Sequence, residues 1–194
     1  MFLALMSLLM FSSCSKCSKK EPVVNEPLSI EEAIKEDTDK MTAKNKKSFV
    51  WLETLVLLNN YLDEENDGSY NEVSNIFQAV EDTSTDAMVY KFQHFADGKN
   101  FQDSIRGFWV EDFPLADSLI KVPYDSAFNL VMQVNLPKPH SKNAILRNPI
   151  GPKPCNPQWI FGNLNSQIWI DATTGEVRES NPAFPDGDNY TFVW

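Results

Sequence analysis

Apolar and polar positions change period several times along the chain, and each change marks an element. Ile30, Ala33, Ile34 and Met41 recur at helical spacing. Ser29, with Glu32 three residues on, forms a capping-box pattern in front of them, so a helix is expected over about residues 30–44. From Phe49 to Leu58 nearly every position is apolar, which reads as a strand buried on both faces. Asp67-Gly68 marks a turn, and β-rich stretches follow at about 70–82, 87–96 and 103–111, broken by polar residues and by Asp97-Gly98. In the second stretch Met88, Tyr90, Phe92 and His94 share one face while Lys91 and Gln93 point the other way. The expected result is an antiparallel meander with the first helix laid across it.

Pro114 closes that half, and Pro123 suits the first turn of a second helix, about 123–135, whose stripe is Ala127, Leu130, Val131 and Val134. Six prolines between Pro137 and Pro157 predict a loop-rich excursion around one short strand, 144–147. Strands at 158–161 and 167–170 follow, the second ending in a turn over Asp171 to Val177. The fold class expected is α+β, with antiparallel sheets each packed by a helix.

The first thirteen residues hold no charge and ten apolar side chains, too short a run to span a bilayer but suited to a secretory signal. The next residues, Phe11-Ser12-Ser13-Cys14, resemble a bacterial lipobox, which implies lipidation at Cys14. The organisation expected is a signal peptide at 1–13, a lipidated tether at 14–27, an N-terminal α+β half at 28–117, a second half at 118–180 and a tail or last strand at 181–194. Several acyl chains on one cysteine hold a protein to a membrane firmly. Lys16, Lys19 and Lys20 follow the anchor, where lipoproteins destined for the Bacteroidetes cell surface carry acidic residues. The periplasmic face of the envelope is therefore favoured over the cell surface.

The net charge of −10 is uneven: +1 over residues 14–47, −11 over 48–117 and zero over 118–194. That sign is repelled by phosphate backbones, so no nucleic-acid partner is expected.

The second helix and the three strands after it, the last reading Trp169-Ile170-Asp171-Ala172-Thr173-Thr174-Gly175-Glu176-Val177, resemble the PepSY family over residues 118–178. The whole chain is more loosely similar to Bacteroidetes PepSY-like lipoproteins, and the proline-rich insertion departs from the family's usual hairpin. The resemblance implies an α-β-β-β unit in the C-terminal half and a non-catalytic role, binding or inhibiting a peptide or peptidase of the envelope.

Candidate chemistry is sparse. Asp63 to Gly68 opens like a calcium loop, but position twelve is Ser74, which supplies no bidentate carboxylate. His94 reads as a hydrogen-bonded core residue, and His140-Ser141 lacks a nucleophile turn. Cys17 and Cys155 either pair or stay free, and zinc on His140 and Cys155 lacks further ligands. Trp51, Trp109, Trp159, Trp169 and Trp194 read as core rather than as a sugar platform, and Tyr190 to Trp194 as a last strand. No enzyme activity, cofactor or metal is expected. The candidate binding surface is the proline-rich loop with Pro137, Lys138, Pro139, His140, Arg147 and Cys155, and deletion of 138–156 is expected to leave the fold intact. The alternatives are a structural subunit of an outer-membrane assembly and a glycan or peptide hydrolase.

Overall fold

The computed structural model describes residues 27–44, 48–79 and 87–183; the signal segment, Cys14, Cys17, most of the tether and the segment Tyr190 to Trp194 lie outside them. Helix α1 (Ile30–Lys44) leads into strands β1 (Phe49–Leu58), β2 (Tyr70–Ala79), β3 (Met88–Phe95) and β4 (Asn100–Arg106). A short strand β5 (Asp112–Phe113) and a single 3-10 turn precede helix α2 (Tyr124–Gln133). Strands β6 (Asn143–Pro149), β7 (Gln158–Asn163), β8 (Ser166–Asp171) and β9 (Val177–Arg178) complete the described chain.

The α+β class is as expected, but the strands form one antiparallel sheet and not two, in the order β4-β3-β2-β1-β6-β7-β8-β9, with β5 paired to β6. β1 explains the difference. It pairs with β2 on one side and with β6, over Glu53–Leu57, on the other, so its backbone donors and acceptors are met along both edges. Each half is thus a helix followed by a four-stranded meander, and the halves meet where their first strands run antiparallel. The order of elements relates them by an approximate two-fold axis through the β1–β6 seam.

Both helices cover the same face. Ile30, Ala33 and Met41 of α1, Ala127, Phe128 and Val131 of α2, and Val56, Phe77, Leu146, Trp159, Phe161 and Ile170 of the sheet belong to one buried cluster. α1 begins with the expected box: the Ser29 amide donates to the Glu32 carboxylate at 2.9 Å and the Glu32 amide to Ser29 Oγ at 3.2 Å. Such a cap stabilises a helix by about 1 kcal/mol. At the far end of α2, Lys138 Nζ donates to the carbonyls of Val134 and Leu136, at 2.5 and 3.0 Å.

Two expectations need correction. The third β-rich stretch starts at residue 100, because Asp97-Gly98 reverses the chain tightly: Gly98 takes φ +79° and its amide donates to the Phe95 carbonyl at 2.9 Å. The proline-rich region contains seven-residue β6, held between β1 and β7 near the middle of the sheet. Deleting residues 138–156 would therefore remove a central strand, and the expectation that the fold survives it is overturned.

The Asp-Ala-Thr-Thr-Gly segment after β8 has a structural account. Asp171 Oδ1 accepts from the amides of Thr173 and Thr174 at 2.8 and 2.9 Å, and Gly175, at φ +79°, donates to the Asp171 carbonyl at 2.8 Å. The turn also receives the chain entering α2, through Lys121 and Val122 amides donating to the Ala172 carbonyl.

Candidate functional site

Asp37 falls on the inward stripe of α1, in line with Ile30, Ala33 and Met41, and is fully buried. Its carboxylate accepts from His94 Nε2 at 2.8 Å, Asn75 Nδ2 at 2.8 Å and Lys40 Nζ at 3.3 Å. Asn75 Oδ1 in turn accepts from the Thr54 hydroxyl at 2.6 Å, and Thr54 Oγ1 from Trp51 Nε1 at 3.2 Å. The register places Thr54, Asn75 and His94 on the helix-bearing face of β1, β2 and β3, directly under α1. A chain of polar groups therefore crosses the core, and each buried charge in it has a partner, which offsets the desolvation that an unpaired ion would suffer.

One atom in this cluster lacks a partner: His94 Nδ1, buried and unbonded. His94 is among the residues that line a cavity of about 400 Å³, with Leu28, Glu36, Phe95, Gly98 and Asn100. Glu36 stands beside Asp37 and binds Lys40 Nζ at 2.6 Å. Burial works against the Lys40 ammonium, but the Glu36 hydrogen bond and the charge of Asp37 outweigh it and raise its pKa.

The second concentration of charge is at the seam between the halves. There β1 and β6 diverge, and β5 enters the fork: Asp112 pairs with Pro149, Phe113 with Asn148, and Leu115 bridges to Trp51. Arg147 Nε donates to Asp112 Oδ1 at 2.5 Å, and Trp109 Nε1 donates to Asp112 Oδ2 at 3.0 Å. Glu53 lies opposite Arg147 on the same face. Burial, seconded by the charge of Asp112 and only partly countered by Arg147, pushes the Glu53 carboxyl up to about 7. Burial also raises Asp112, against the pull of Arg147 and Trp109.

This seam belongs to the face that carries no helix. Cross-strand neighbours there form rows, one running Asp103, Lys91, Ile76, Glu53, Arg147, Gln158, Asp171 and a second Phe101, Gln93, Ser74, Leu55, Ile145, Ile160, Trp169. The segment after β4 folds over one end of the face: the Trp109 amide donates to Gln78 Oε1 at 2.8 Å, and Trp109 packs beside Leu52, Ile76 and Val89. Phe101 and Ile105 on β4, and Phe108 and Val110 flanking Trp109, remain more than half exposed.

The residues expected to form one binding loop are dispersed. His140 stacks on Tyr61, centroids 4.0 Å apart, and faces Asp63 at 3.0 Å, on the far side of β6 from Arg147 at the fork. Pro137 is exposed and Pro139 buried, while Lys138 closes α2. Cys155 carries a free, half-buried thiol, raised by burial and then by the charge of Asp171. Ser141 donates its hydroxyl to the Gly162 carbonyl at 2.8 Å. In the calcium-like turn, Asn66 and Asp67 accept from backbone amides two residues on, and Asp63 faces His140, so these groups diverge. Trp51, Trp159 and Trp169 are buried, as expected of core residues.

Sequence reasoning found His94 but missed Asp37, Asn75, Thr54 and Asp112. The signal for Asp37 is its spacing: positions 30, 33, 34, 37 and 41 form a single stripe, with an acid in the middle. No family model, curated protein or solved structure matches the chain. Among the described residues no helix is long and apolar enough to cross a membrane.

Proposed function

We propose that this chain is a bacterial lipoprotein, anchored through Cys14 at the periplasmic face of the envelope, whose folded body binds an extended peptide segment of an envelope protein without reacting with it. The observation that carries the reading is β4. All seven of its residues are exposed, and among the described residues its outer edge has no strand partner. Such an edge presents backbone donors and acceptors to an incoming strand, while Phe101 and Ile105 on the helix-free side offer apolar contact for alternate side chains. Phe108 and Val110 extend the apolar area. A non-catalytic role is supported by Ser141, whose hydroxyl is directed to Gly162 and away from service as a nucleophile beside His140.

Two measurements test the reading. Radiolabelled palmitate is expected in the full chain and not in Cys14→Ala. Peptides selected by display on the immobilised protein are expected to be extended and alternately apolar. They should lose at least tenfold in affinity to the Phe101→Asp, Ile105→Asp double variant, and keep it for Lys35→Glu on the exposed side of α1. Equal binding to both variants refutes the β4 surface.

A further inference from the structure

We propose, resting on the reading of β4 as the docking edge, that the strand it accepts runs antiparallel to β4 and carries a lysine or arginine opposite Asp103, between apolar side chains opposite Phe101 and Ile105. Hydrogen-bond phase fixes which β4 groups are available. At the two ends of the β3–β4 ladder the Phe95 amide donates to the Lys99 carbonyl and the Gly107 amide to the Ala87 carbonyl, each at 2.9 Å, and the register between them is continuous. Bonded and unbonded pairs alternate along an antiparallel ladder, so Phe101, Asp103 and Ile105 turn their backbone groups inward to β3. The residues between them, Gln102 and Ser104, turn theirs to the open edge. On the other side of β3 the phase is reversed, as this requires: the Ala96 amide donates to the Asn71 carbonyl of the β2 ladder. An antiparallel partner therefore bonds at Gln102 and Ser104. Residues facing Phe101, Asp103 and Ile105 then fall in the unbonded pairs, where opposed side chains stand closest, with Cα atoms about 4.5 Å apart.

Asp103 decides the chemistry of that partner. Its Oδ1 accepts from the Ser104 amide at 2.7 Å, one of the donors an incoming strand uses. The carboxylate thus lies over the outer edge at the middle of β4, while Lys91 stands across from Asp103 on β3. An arriving strand displaces that bond and meets a negative charge at the centre of the ladder. A neutral residue leaves that cost in place, and a cation offsets it. Phe101 and Ile105, 60% and 61% exposed on the same face as Asp103, supply the apolar contacts on either side.

A second copy of the chain fits this edge less well. Two-fold antiparallel pairing that faces each Phe101 with an Ile105 also faces Asp103 with Asp103, and like charges directly opposite are destabilising. The acidic surplus of −11 over residues 48–117 attracts the same basic partner at longer range.

The test is fluorescence anisotropy of labelled synthetic peptides on the full chain in detergent, with the centre Val-Thr-Lys-Thr-Leu or the same with glutamate in place of lysine. The lysine peptide is expected to bind about tenfold more tightly than the glutamate peptide. Asp103→Asn should bring the two within about twofold, and Asp103→Lys should invert their order. Asp103 is exposed, so neither change disturbs the core. N-methylation of either threonine, whose amides face Gln102 and Ser104, is expected to weaken the lysine peptide by at least about tenfold. N-methylation of the lysine, whose amide points away from β4, should weaken it by less than about twofold. The proposal is overturned, with the β4 edge left standing, if both peptides bind equally yet depend on Phe101 and Ile105, if the lysine preference survives Asp103→Asn, or if the two methylation effects are exchanged. Binding that ignores the Phe101→Asp, Ile105→Asp double variant, or no binding at about a millimolar, overturns both.

Discussion

The two helix-and-meander halves share an order of elements and differ in what fills the space between helix and sheet. Under α2 the filling is aromatic: Tyr124 meets Trp159 at 5.7 Å and Phe161 at 6.3 Å, and Phe128 meets Phe161 at 6.3 Å. The polar tips are satisfied at the rim, with the Tyr124 hydroxyl donating to the Gly68 carbonyl and Trp159 Nε1 to that of Val122. Under α1 the aromatic layer is interrupted by Asp37, Asn75, Thr54 and His94, linked by directional bonds. Apolar burial tolerates small shifts of a helix, whereas a carboxylate with donors from two strands and its own helix fixes α1 in place and in register. Aromatic filling is the stronger stabiliser per residue. The polar filling sets Asp37 and His94 inside the core as a hydrogen-bonded pair.

Breaking the aromatic side should have the largest effect. Phe161→Ala is expected to lower unfolding free energy by about 4 kcal/mol, read as the shift in urea midpoint. Because β1 and β6 join the halves, loss should appear as one transition by both tryptophan fluorescence and circular dichroism. Two separated transitions would show that the halves unfold independently.

On the polar side, Asp37→Ala strands the donors of His94, Asn75 and Lys40 and is expected to destabilise by about 3 kcal/mol. The double change Asp37→Leu, His94→Leu removes both members of the buried pair and should recover the part of that loss due to the stranded imidazole, leaving the part due to Asn75. Failure to recover would mean that the network's geometry, beyond the pairing of its charges, holds α1 down.

The seam gives the smallest and most pH-dependent effect. A carboxyl raised from an ordinary 4.5 to about 7 contributes its full stability below pH 4.5 and loses it as pH rises through 7. Unfolding free energy should therefore fall by about 2 kcal/mol between pH 5 and 8 on account of Glu53, with some allowance for its partial exposure. Glu53→Gln should flatten that segment of the stability profile measured by urea titration at each pH.

Much of the fold was legible. The capping box of Ser29 and Glu32, the alternation of Met88, Tyr90, Phe92 and His94, and the stripe of α2 each identify an element, because each pattern is set within a few residues, whereas the double-sided apolar run of β1 has no period that separates strand from helix. β4 was misplaced by three residues since its side chains are exposed throughout and leave no alternation to read. β6 was read as a brief strand inside a loop because its prolines flank it closely, and nothing local shows that β1 needs it as a partner. Of the candidate site, His94 was legible from its face. Asp37 sits in a helix rich in acids, where solvation is the ordinary outcome, and its burial depends on groups 38 and 57 residues away.

By itself, then, the amino-acid order determined where helices and strands lie, which faces of them are apolar, and where the negative charge accumulates, since periodicity and turn chemistry act over one or two turns of chain. Only the tertiary structure decided that two meanders merge into one sheet along β1 and β6, that Arg147 closes a seam with Asp112, and that Asp37 of α1 meets His94 of β3 in the core. Those outcomes come from strand pairing and burial between segments distant in sequence, where each partner's environment is created by the other.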